Sequence, residues 1–164
     1  MHRAFKIAHL LGLALFLGSV FGHVVAAVLG GPPGAPGFLA ARAEIVAATA
    51  TLTLPGLGPA VLSGIGMLVV SPGFRRQRWV WLHAGLAGLV VVSSVALVAP
   101  AGRRALALAI GGAPAPDLMS ALLTERVAGS LNIALAIALL AVAVIRPALR
   151  KRMGTANGER RVRS

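Results

Sequence analysis

Four stretches of this chain, near residues 7–29, 45–70, 79–99 and 127–145, are almost continuous runs of apolar residues. A helix needs about 20 such residues to cross a ~30 Å hydrocarbon core. Backbone N–H and C=O groups cannot be left unpaired in lipid, so each run is expected to be helical. The expected fold class is all-α: a polytopic membrane protein whose residues 1–148 form a four-transmembrane-helix bundle. A basic tail, residues 149–164, follows and is expected to be disordered. Composition agrees, with 57% apolar residues, mean hydropathy +0.86 and only 12% charged residues, leaving too little polar surface for a soluble domain.

The connections are marked by helix breakers. Gly30-Gly31-Pro32-Pro33-Gly34 separates the first two runs, and Ser71-Pro72-Gly73 the next two. Between the third and fourth runs, residues 103–110 are expected to form a short helix along the interface, ended by Gly111-Gly112-Ala113-Pro114. The second run is the least regular: Thr49, Thr51 and Thr53 lead into Leu54-Pro55-Gly56-Leu57-Gly58-Pro59. A proline lacks a backbone donor and clashes with the preceding turn, so a kink or local unwinding is expected at Pro55 and Pro59. Such a break is either a packing irregularity or a discontinuous helix lining a small cavity, as transporters use.

Twelve Lys and Arg residues fall on the side of the N-terminus, the second connection and the tail, and four (Arg42, Arg103, Arg104, Arg126) on the other. Positive residues are retained in the cytoplasm, so both termini are expected to be cytoplasmic. The net charge of +12 is thereby explained by topology; nucleic acid is not expected as a partner, because the basic residues sit at the ends of hydrophobic runs. The first run also resembles a secretory signal ending at Val25-Ala26-Ala27. It continues past that point to Leu29 and carries His9 and His23, which favours a retained span. Gly18 and Gly22 form a GxxxG pattern, expected mostly to pack helices within the chain, with homo-oligomerisation as the alternative; Gly85 and Gly88 offer further close approach.

Ionisable groups inside a bilayer are expensive, which makes the histidines the first candidates for chemistry. His9 and His83 each lie a few residues inside a helix entering from the same side, and so at similar depth. Facing imidazoles are the usual axial ligands of a b-type haem, with Met67 as a substitute ligand at a comparable level. His23 has no histidine partner; Glu44 or Glu125 is expected to hydrogen-bond it. Glu125-Arg126 is expected to open the fourth helix. Asn132 is expected to bond across helices, with substrate contact as the alternative. There is no cysteine, GxSxG, P-loop or HExxH, so thiol chemistry, conventional hydrolysis and phosphoryl transfer have no visible machinery.

Lys6-Ile7-Ala8-His9 with Gly12 and Gly18, Leu54-Pro55-Gly56, Ser63-Gly64-Ile65-Gly66-Met67-Leu68 and Trp79-Val80-Trp81-Leu82 resemble a bacterial family of integral membrane proteins of unknown function. That family is similar to the CopD-type copper-resistance proteins and the HemJ-type protoporphyrinogen oxidases. The resemblance covers about the first 100 residues. It implies a four-helix fold in the bacterial cytoplasmic (inner) membrane and, from the HemJ side, a b haem on His9. Charged residues that HemJ-type proteins carry deeper in their first helices are absent, and four Met without Cys suit Cu(I) poorly. The leading expectation is a small haem-dependent membrane redox protein that exchanges electrons with a quinone or redox partner. The alternative is a cofactor-free accessory or scaffold subunit, or a small permease component.

Overall fold

The computed structural model describes residues 2–161, and the side chains of residues 3–73 and 75–145. Four helical rods make up the fold. The first is α1, His2–Gly30. The second joins α2 (Phe38–Ala48), a π-helical turn π1 (Thr49–Thr53) and α3 (Leu54–Val70). After the single turn α4 (Pro72–Arg75), the third joins α5 (Arg78–Ser93), π2 (Ser94–Val98) and α6 (Ala99–Ile110). The fourth is α7, Ala115–Arg161. Each rod contains a segment long and apolar enough to cross a membrane, at mean hydropathies of 2.1, 1.6, 2.1 and 2.4 in chain order.

The rods run longer than the apolar runs suggested. The second begins at Phe38 rather than near residue 45, and the fourth at Ala115 rather than near 127. Proline is tolerated in a first helical turn, where its missing donor would be unpaired anyway, and Pro116 and Asp117 occupy that turn of α7. Glu125 and Arg126 are therefore well inside the helix and do not open it. Residues 103–110 are not a separate interfacial helix: α6 continues the third rod through Pro100. The expected disorder of the tail falls on residues 149–164, whose side chains lie outside those described, as do residues 162–164 entirely.

Both interior irregularities sit beside a proline. In π1 the Leu54 N–H reaches back to Thr49 O, and in π2 the Ala99 N–H reaches Ser94 O, each a five-residue step. Pro55 and Pro100 follow immediately. A widened turn relieves the contact between a proline ring and the carbonyl behind it, which lets both rods stay helical across residues that ordinarily break them. The irregularity in the second rod is thus at residues 49–53, and α3 runs helical through Pro55 and Pro59 to Val70.

Contacts fix an antiparallel register. His9 meets Ala60, Ser19 meets Thr53 and Gly30 meets Ala41, so α1 runs against the second rod. Val90 packs in one layer with Ala136, Ser94 meets Asn132 and Ala105 packs with Ala121 and Leu122, so α7 runs against the third. One end of the bundle, here called proximal, holds the N-terminus and the 71–77 connection; the distal end holds the 31–37 and 111–114 turns. Near mid-height Phe16, Leu57, Val90 and Ala136 form one core layer, and Phe38, Ala105, Ala121 and Leu122 form a second at the distal end. Around these cores the apolar surface faces outward, with Phe21, Leu62 and Ile137 among the exposed side chains, as a lipid-facing surface requires.

α1 and α3 approach to backbone contact. A Cβ on Gly12 would lie 2.6 Å from Ala60 N, and one on Gly56 would lie 2.8 Å from Phe16 N. Gly18 and Gly22 do not take part: a Cβ at either would meet nothing within 4 Å, and both are exposed. Gly85 and Gly88 are equally open. The expected intramolecular role of the GxxxG pattern is therefore corrected. The close approach is made by single glycines on two antiparallel helices, a pairing that no pattern along one helix reveals.

Candidate functional site

Two groups of polar residues lie inside the bundle, on either side of the mid-height layer. The proximal group is set by register. His9 precedes Phe16 by seven residues and His83 precedes Val90 by seven; Gly64 and Ala143 follow Leu57 and Ala136 by seven. Seven residues make close to two full turns and a rise of about 10.5 Å. Each of the four positions therefore lies on the core-facing side of its helix, at a common depth two turns toward the proximal end. That layer holds two imidazoles and two of the smallest residues. A Cβ on Gly64 would sit 3.8 Å from both Cε1 and Nδ1 of His9.

His9 donates from Nδ1 to the Ala60 carbonyl at 2.7 Å. A carbonyl can only accept, so the neutral ring carries its proton on Nδ1 and keeps the Nε2 lone pair. Ser63, whose hydroxyl donates to the Pro59 carbonyl at 2.5 Å, lies 3.4 Å from the same Nδ1. A histidine ligand oriented through its other nitrogen is the usual arrangement at metal centres. Within this layer His9, with Nδ1 tied to a carbonyl, has the orientation of a ligand histidine, while His83 is placed at the same depth by register, with glycine and alanine at the other two positions. Met67, half-buried, lies three residues nearer the proximal end than Gly64.

The distal group surrounds π1. Ser19 and Thr53 share a hydrogen bond of 2.6 Å, and His23 Nε2 is 3.3 Å from Ser19 Oγ and 3.4 Å from Thr49 Oγ1. Thr49 donates to Ile45 O at 2.8 Å, so toward His23 its oxygen accepts. Farther toward the distal end Arg42 Nη1 donates to Glu125 Oε2 at 2.6 Å, the side chains being 9% and 13% exposed. The carboxylate expected to meet His23 is thus committed elsewhere: Glu125 holds Arg42, Glu44 is exposed, and hydroxyls take the histidine. A cavity of about 60 Å³ separates π1 from α6 and is lined by Thr49, Leu54, Gly102 and Arg103 among others. Pro55 and Pro59 are not among its lining residues. At mid-height Asn132 donates to Ser94 Oγ at 3.1 Å, which gives the interhelical bond expected of it.

The Arg42–Glu125 pair and the Ser19–Thr53 bond were missed from the sequence. In the sequence Arg42 reads only as a topology charge, and hydroxyls in apolar runs carry no pattern. One signal existed: Ser19 precedes His23 by four residues, which places the two on one face of α1. Among the described residues no group of three or more His, Asp or Glu side chains could hold a bare metal ion. No protein-family model matches this chain, and neither a curated protein nor a solved structure does.

Proposed function

We propose that this protein is a small redox protein of a bacterial cytoplasmic membrane, with both termini cytoplasmic, in which His9 Nε2 and His83 hold one b haem. The observation that carries this reading is the proximal layer His9, Gly64, His83 and Ala143, with the His9 tautomer fixed by Ala60. The likeness of the Lys6 to His9 segment to HemJ-type proteins supports the same ligand. A haem there would supply one-electron chemistry, suited to exchange with a quinone or a redox protein at the proximal surface. The chain's own part is to position two imidazoles, exclude bulky side chains between them and seal the layer from the bundle centre with Phe16 and Val90, each 2% exposed.

The test is an oxidised and dithionite-reduced visible spectrum of protein produced with haem supplementation, beside His9→Ala and His83→Ala. A Soret band with sharp reduced α and β bands, lost in both variants, is the expected result. A flat spectrum from folded protein overturns it. The second reading, a cofactor-free accessory or scaffold subunit, is favoured by the same His9–Ala60 bond, since that bond already joins α1 to α3 without a ligand.

A further inference from the structure

We propose that the cavity between π1 and α6 is a water site through which His23 exchanges protons with the aqueous phase at the distal end. The volume of about 60 Å³ is room for a few waters at roughly 10–15 Å³ each. Polar groups flank it on both sides. Thr49 lines it and holds its Oγ1 3.4 Å from His23 Nε2. Gly102 lines it from α6, and a Cβ there would lie 3.7 Å from Glu125 Oε1, the carboxylate oxygen not bonded to Arg42. Arg103 lines it as well and is exposed, which marks the way out.

A second observation points to the same ligand. Arg42, 8% exposed and one turn before Val46 of the lining, has an Nε that is buried without a partner among the described residues. A buried guanidinium N–H is commonly satisfied by an ordered water. His23 is met by the hydroxyls of Ser19 from α1 and Thr49 from π1, with Thr53 bonded in turn to Ser19; the charged groups of the surrounding elements are Arg42 of α2, paired with Glu125 of α7, and Arg103 of α6 in the cavity lining. Thr49 accepts, so it is the Nε2–H of the protonated ring that faces it: release passes that proton to water as hydronium and leaves the neutral ring protonated on Nδ1, and uptake is the reverse. The site does not depend on the proximal layer holding a haem.

Residue-resolved deuterium exchange at the imidazole C2–H, read by mass spectrometry on the full chain in nanodiscs, tests this, because that exchange requires solvent at the ring. His23 is expected to take up deuterium in the unmodified protein. Gly102→Leu, which fills the cavity, is expected to abolish that uptake, and Gly102→Ala to leave it unchanged, since its Cβ would make only ordinary contacts. If Gly102→Leu fails to fold, Ala50→Leu, at an exposed residue of the same lining, takes its place. No uptake at His23, or uptake that persists when the cavity is filled in folded protein, overturns the proposal.

Discussion

His9 and Ala60 are joined by a 2.7 Å hydrogen bond that ties the side chain of α1 to the backbone of α3. The bond spans 51 residues of sequence, yet its loss strands little, because Ala60 lies inside α3, where its carbonyl is already bonded by the backbone N–H four residues on. Interhelical hydrogen bonds in membranes average about 0.6 kcal/mol. His9→Leu is therefore expected to lower unfolding stability in mixed micelles by no more than about 1 kcal/mol. Any haem spectrum should vanish altogether in the same variant. A large stability loss would instead make His9 chiefly a structural clamp.

The α1–α3 contact is predicted to be the least forgiving surface in the chain. Gly12→Ala would drive a methyl against the backbone of Ala60 and Gly56, and Gly56→Ala against that of Phe16. Backbone cannot rotate away as a side chain can, so each is expected to cost at least about 1–3 kcal/mol. Gly18→Ala and Gly22→Ala, with open space around them, should leave monomer stability unchanged. Thermal unfolding of the four variants in one detergent separates the two pairs. Equal effects would refute the antiparallel glycine contact.

The contrast between those pairs shows what the sequence could convey. Four spans and their order follow from hydropathy and residue counting, because lipid forces helices and helices have a fixed rise. The continuity of the third rod through Pro100 was not legible, because proline signals a break and only a π turn, invisible in composition, absorbs it. His23 is legible as an interior group, but its partners are not, because the sequence points to carboxylates. Glu125 is held by Arg42 through a tertiary pairing 83 residues apart, and the hydroxyls that take the histidine look like any other serine or threonine.

Arg42 and Glu125 form a largely buried pair between α2 and α7. Removing one partner leaves a buried charge, which typically costs about 3–5 kcal/mol. Arg42→Met and Glu125→Leu are each expected to destabilise the bundle strongly. The double variant, which removes both charges, should recover most of the loss. A double-mutant cycle on thermal midpoints measures this. Additive losses would mean that the two side chains do not depend on each other.

Asn132 and Ser94 set up an asymmetric prediction. Asn132 donates to Ser94, while its Oδ1 is buried and unpartnered among the described residues. Asn132→Leu removes the half-satisfied carboxamide entirely and leaves Ser94 a short hydroxyl able to turn back onto a carbonyl of its own helix. Ser94→Ala instead strands the whole carboxamide inside the bundle, at a cost of about 1–3 kcal/mol. The serine variant should therefore be the less stable of the two, and adding Asn132→Leu to it should restore stability. Unfolding midpoints of the two singles and the double decide the matter: if Asn132→Leu alone is the more damaging, the carboxamide has a partner that its geometry in the bundle does not reveal.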